Sequence, residues 1–78
     1  MTVTQTLVRV DARGLSCPMP IVMVAQQIRT VPSGGLLELL ATDPGSTKDI
    51  AAWCRSTGND LVDQGVDGPV YRFVIRRK

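Results

Sequence analysis

Two segments of helical period, each launched from a proline-bearing turn just behind a short β-forming run, constrain this chain more than any other feature. Ile21, Val24, Ile28 and Val31 step by three and four and make an apolar stripe down one helical face. Ile50, Trp53, Cys54 and Thr57 repeat the pattern. Ahead of the first stripe lies Leu7-Val8-Arg9-Val10, with Val8 and Val10 facing one way and Arg9 the other. Between the stripes Leu36-Leu37-Glu38-Leu39-Leu40-Ala41 reads as a largely buried strand. A strand, a helix and a strand in this order imply a right-handed crossover. The 78 residues allow one domain with a small core, so residues 1–78 are read as a single domain.

The punctuation sets the expected bounds. Helix one runs from about Pro18 to Val31 and ends at Pro32-Ser33-Gly34-Gly35. Helix two covers Ser46 to Thr57, with Asp43 or Ser46 as its cap, a loose capping box from Ser46 to Asp49, and a left-handed stop at Gly58-Asn59. Leu61-Val62 starts a third strand, Gly65-Val66-Asp67-Gly68 is the turn, and Val70 to Ile75 is a fourth strand. Tyr71, Phe73 and Ile75 would face the helices, leaving Arg72, Val74 and Arg76 with Arg9 and Glu38 on the open face. The order is βαβαββ. The expected class is α/β in the α+β sense: a two-layer sandwich whose four-stranded mixed sheet carries two helices on one face.

Chemistry concentrates in Gly14-Leu15-Ser16-Cys17-Pro18-Met19-Pro20, which places a thiol where strand one passes into helix one. Pro18 suits the first helical position and Pro20 the first turn, so Cys17 reads as the N-cap. At the positive end of the helix dipole a thiolate is favoured, and thiolate is the nucleophile. The prolines leave only the N–H groups of Met19 and Ile21 nearby, so the expected activation is moderate. Both helix starts lie at the carboxyl ends of the strands before them, where ligands bind in open α/β sheets, so Cys17 and Asp43-Pro44-Gly45 share an edge.

Composition removes several alternatives. The chain has no histidine, which excludes Ser/His and Cys/His dyads and zinc sites with an imidazole ligand. Two cysteines make no metal site by themselves, and no cofactor is expected. The net charge is only +2, the single basic cluster Arg76-Arg77-Lys78 reads as a solvated tail, and Trp53, Tyr71 and Phe73 are the sole aromatics. Direct nucleic-acid binding is not expected. No apolar run reaches a membrane span and Met1-Thr2-Val3-Thr4 lacks a secretory pattern, so a cytoplasmic protein with reduced cysteines is expected. A chain this short encloses no deep pocket, which favours a presented group or a site completed by a partner.

Cys54 lies on the apolar face with Ile50 and Trp53 and reads as core. A Cys17–Cys54 disulfide is disfavoured. Cys54 lies roughly 12 Å down its helix axis, beyond the roughly 7 Å that bridged α-carbons span. Asp43 is explained by capping helix two, with partner contact as an added role. Asp11 and Arg13 either tune the charge near Cys17 or simply pair across the turn.

The run Asp11 to Pro20, the later Thr42-Asp43-Pro44 with Asp49-Ile50, then Gly58-Asn59 and the closing Tyr71 to Arg76 strand resemble the TusA/SirA family of small sulfur-carrier proteins. The resemblance covers essentially the whole chain. It implies the two-layer βαβαββ sandwich and a cytoplasmic sulfurtransferase in which Cys17, in the Cys-Pro-x-Pro motif, carries sulfur as a persulfide. Gly14, Leu15, Pro18 and Pro20 would shape the site. Arg13, Met19, Arg29 and Asp43 are candidate partner contacts. The implied partners are a cysteine desulfurase or rhodanese-like donor and a downstream protein acceptor serving tRNA 2-thiolation, molybdenum-cofactor enzymes or sulfur oxidation. The carrier is expected to be a monomer. Many members place Lys or Arg through the middle of helix one, whereas Val24-Ala25-Gln26-Gln27-Ile28 leaves only Arg29, which suggests a different partner set or a weaker salt dependence of docking. The alternative function is a non-catalytic thiol module, a redox-responsive regulator or interaction domain on the same fold.

Overall fold

A computed structural model describes residues 7–78; the Met1 to Thr4 segment that bears on a leader lies outside them. The element order is β1 (Leu7–Ala12), α1 (Met19–Gln27), a 3-10 turn (Ile28–Thr30), β2 (Leu36–Ala41), α2 (Ser46–Thr57), β3 (Asp60–Asp67) and β4 (Val70–Arg76). The sheet order is β1-β2-β4-β3, with β1 parallel to β2 and both other pairings antiparallel. Two helices and a four-stranded mixed sheet give the expected α+β arrangement.

Alternation along the strands decides which side is buried. Val10 and Ala12 of β1, Leu37, Leu39 and Ala41 of β2, and Phe73 and Ile75 of β4 are buried with Val24, Ile28 and Val31 of the first helical segment and Ile50 and Cys54 of α2. Burying a side chain such as Leu39, Ile50 or Phe73 contributes about 1.5–3 kcal/mol each. The opposite face carries a charged lattice: Glu38 bridges Arg9 and Arg72, Arg72 reaches Asp63, and Arg76 pairs with Asp60. Val74 sits in this face as expected, yet only 8% of it is exposed. Its ladder partners are Glu38 and Asp63, the two carboxylates joined through Arg72.

The structure moves three boundaries. The first helix stops being helical before Val31, which is extended at φ −90°, ψ 127°. Pro32 follows it, and a proline ring disfavours the helical conformation of the residue before it. The β3–β4 hairpin is tighter than expected. β3 continues through Gly65, Val66 and Asp67, all paired with β4, so only Gly68 and Pro69 connect the strands. β3 is an edge strand and mostly exposed, so it lacks the apolar alternation that marks a strand in sequence. A register shift between Leu61 and Asp63 further breaks its pattern.

Arg76, Arg77 and Lys78 are not a solvated tail. Arg77 exchanges backbone hydrogen bonds with Gly34 and Gly35, and its guanidinium donates to the Val31 carbonyl at 2.6 Å. The Lys78 N–H donates to Asn59 Oδ1. Helix two, in contrast, has its expected bounds and its left-handed stop, with Gly58 at φ +80° and its N–H on the Cys54 carbonyl.

Candidate functional site

The third moved boundary is at the thiol. Pro18, not Cys17, occupies the N-cap of α1, at φ −96°, ψ 14°, and makes no side-chain capping bond. A backbone turn closes first: the Met19 N–H donates to the Ser16 carbonyl at 2.9 Å, and helical bonding begins with the Val22 N–H on the Pro18 carbonyl. Cys17 thus stands in the turn ahead of the helix, exposed. Pro20 is fully buried and anchors the first helical turn in the core.

Three local contacts hold this turn. Leu15 N–H donates to the Ala12 carbonyl, so the loop folds back on the end of β1. Gly14 adopts φ +81°, a conformation that favours glycine, and its N–H donates to Thr42 Oγ1 at 2.9 Å. That bond ties the β1–α1 loop to the β2–α2 loop and realises the shared edge. Arg13 closes on Asp11 through two side-chain hydrogen bonds of 2.8 Å and one from its N–H. The guanidinium and the backbone bond hold the Asp11 carboxyl down to about 2. Of the two roles open to this pair, the geometry favours the clamp across the turn, because Arg13's charge is committed to Asp11.

α2 supplies the neighbour of the thiol. Gly45 is its N-cap, and the expected caps Asp43 and Ser46 make no side-chain capping bond. The Asp49 N–H donates to the Gly45 carbonyl within the helix, while the Asp49 side chain turns outward to accept from Cys17, with Sγ 3.1 Å from Oδ2. A Cβ added at Gly45 would stand 3.1 Å from Asp43 Oδ2 and 3.8 Å from Asp49 Oδ2, so both carboxylates converge over the bare α-carbon. The hydrogen bond to Asp49, then partial desolvation, then the charges of Asp49 and Asp43 push the Cys17 thiol up. This corrects the expected drift towards thiolate. A carboxylate in contact outweighs a helix end displaced beyond Pro18.

Exposed apolar side chains flank Cys17 in the chain. Leu15, Met19 and Val22 are each more than a third exposed, with Met19 and Val22 one turn apart on α1. Of the candidate partner contacts, Arg13, Met19 and Asp43 lie in or beside the two joined loops. Arg29 does not, since it sits in the 3-10 turn at the far end of α1. Cys54 is 3% exposed, belongs to the core, and is free like Cys17. Among the described residues no group of three or more metal-ligating side chains comes together, and no helix is long and apolar enough to cross a membrane.

Sequence reasoning assigned Asp49 to a capping box and to the pattern that carries the resemblance, and so missed its contact with Cys17. The signal available was the shared edge: a residue in the first turn of α2 with a short acidic side chain stands where the β1–α1 loop must pass.

Residues 8–77 match the family model described as sulfurtransferase TusA. The chain belongs to the TusA family. It is 45% identical over 67 residues to the sulfur carrier protein TusA of Pseudomonas fluorescens, covering 86% of this chain and 81% of the relative. With the TusA sulfur carrier of Allochromatium vinosum it shares 40% identity over 67 residues, 86% of this chain and 88% of that one. The Pseudomonas putida TusA sulfur carrier is 41% identical over 68 residues, 87% and 85% of the two chains. Cys17, in the β1–α1 loop that Gly14 ties to the β2–α2 loop, is the exposed thiol of this chain.

Proposed function

We propose that this chain is a cytoplasmic sulfur-relay protein that accepts sulfane sulfur as a persulfide on Cys17 and passes it to a protein acceptor. The observation that carries this reading is the contrast between its two thiols: Cys17 stands exposed at a loop junction and Cys54 is packed in the core. Cys17 Sγ attacks the outer sulfur of a donor persulfide. The Sγ–S bond forms, the donor's S–S bond breaks, and the donor cysteine leaves as a thiolate that takes up the proton surrendered by Cys17. No net oxidation occurs, because the sulfane sulfur changes only its bearer. The acceptor's thiolate repeats the exchange, and Cys17 is the leaving group. Neither step calls for a cofactor or a deep pocket. The exposed Leu15, Met19 and Val22 offer apolar area to a donor such as a cysteine desulfurase or a rhodanese-like protein, and to the acceptor that follows.

Intact-mass spectrometry after incubation with a cysteine desulfurase and cysteine, or with a rhodanese and thiosulfate, tests the proposal. The expected product carries one added sulfur that a reductant removes. Cys17→Ser abolishes the gain, and Cys54→Ser keeps it. Loading that persists in Cys17→Ser would overturn the assignment. Reversible oxidation of Cys17 with altered partner binding, and no loading by any donor, would favour the redox-responsive module instead.

A further inference from the structure

We propose that Asp49 is a positioning residue for sulfur transfer: it holds the unloaded Cys17 as a closed, hydrogen-bonded thiol until a cationic side chain of the donor draws the carboxylate away. This rests on the carrier reading of Cys17 and deepens it.

The geometry is a short chain of contacts. Cys17 Sγ lies 3.1 Å from Asp49 Oδ2. Asp49 and Asp43 lie together over the α-carbon of Gly45, where no side chain separates them. The charged groups facing the thiol are therefore Asp49 from α2 and Asp43 from the β2–α2 loop. From the thiol's own loop, Arg13 is bound to Asp11 and lends it no compensating charge. A thiol that donates to a carboxylate keeps its proton, and a thiolate formed there would face two negative groups. The upward push on Cys17 agrees with this arrangement.

The same contact guards both halves of the transfer. During loading, the nucleophile is the thiolate, which this site disfavours until the carboxylates are neutralised. During unloading, Cys17 must depart as a thiolate beside Asp49 and Asp43, and a poorly stabilised thiolate leaves slowly. A loaded carrier thus resists losing sulfur to stray small thiols. A donor or acceptor presenting Lys or Arg beside its reactive sulfur would satisfy Asp49 and release Cys17 in the docked complex. Selectivity then comes from charge at the thiol, while the exposed Leu15, Met19 and Val22 supply contact area.

Alkylation of Cys17 by neutral iodoacetamide, followed across pH by peptide mass spectrometry, is the test. Asp49→Asn keeps the size of the side chain and removes its charge. At neutral pH it is expected to react roughly threefold to tenfold faster than wild type, the size of a contact charge at a solvated site, with its pH profile displaced downwards. Asp43→Asn should move the profile the same way by less. Wild-type protein should also react faster with a trimethylammonium methanethiosulfonate than with a sulfonate one, and Asp49→Asn should compress that ratio. Loaded Asp49→Asn should lose its sulfur to glutathione sooner than the loaded wild type. An unchanged pH profile, or slower alkylation of Asp49→Asn with an unchanged melting temperature, overturns the proposal. If no donor loads the wild type while Asp49→Asn still shifts the alkylation profile, the carrier reading fails and the thiol–carboxylate contact stands.

Discussion

Iodoacetamide added to the native protein is expected to label Cys17 about a thousandfold faster than Cys54. Cys17 is exposed, whereas Cys54 is 3% exposed beside Ile50 in the shared core. Both thiols are pushed up, Cys17 chiefly by its hydrogen bond to Asp49 and Cys54 chiefly by burial, so thiolate content does not create the gap. Access does. At 0.05–0.15 kcal/mol per residue, a chain of 78 residues has a stability of roughly 4–12 kcal/mol. The low end already implies that a core thiol meets solvent about one part in a thousand of the time. Time-resolved peptide mass spectrometry separates the two labels. Urea should accelerate Cys54 labelling with the slope of global unfolding and leave Cys17 nearly flat below the transition. Labelling of Cys54 within tenfold of Cys17 in the absence of urea, or a rate insensitive to urea, would refute the packing argument and with it the restriction of sulfur to one thiol.

Gly58→Ala forces a β-carbon into a backbone with φ +80°, at a cost of about 1–2 kcal/mol. Thermal denaturation should show a melting point lowered by about 4–8 °C per kcal/mol. Ile50→Ala empties a fully buried position and should cost about 2–5 kcal/mol, read as a lower urea midpoint at unchanged slope. Arg13→Ala frees Asp11, whose carboxyl is held to about 2 against an ordinary 3.8. A depressed carboxyl stabilises the fold above its unfolded value and loses that contribution as pH falls through its folded one. Carboxyl NMR titration should therefore move Asp11 back towards 3.8 in the variant, and the stability difference should vanish below pH about 2.

The elements that bury a repeating apolar set were legible in the sequence. Ile50 and Cys54 repeat at helical spacing between a capping turn and a glycine, and α2 has the expected bounds. β2 was legible as a strand from its apolar run, although it is fully buried on one side only, at Leu37, Leu39 and Ala41. β3 was legible only at its start, because an edge strand with Asp63, Gln64 and Gly65 exposed has no apolar alternation to read. The position of Cys17 at the strand-to-helix junction was legible, and the state of its thiol was not. Helix-dipole reasoning works along the chain, from Cys17 to Met19, whereas the contact that decides the thiol spans 32 residues to Asp49. The charged end of β4 failed similarly: Arg77 meets Val31 only once the sheet is assembled.

β4 is the last of the four strands in sequence and yet lies inside the sheet, between β2 and β3. A ribosome makes β1, α1, β2 and α2 before β4 exists, and until then β3 has no partner among the described strands. Cys17 therefore emerges early as an ordinary thiol on an unfinished chain. The loops that bring it to Asp49 follow β1 and β2, and β2 gains its second ladder only when the strand ending at Arg76 is inserted. The four-stranded sheet under both loops is therefore complete only once the last strand of the sequence has entered between β2 and β3.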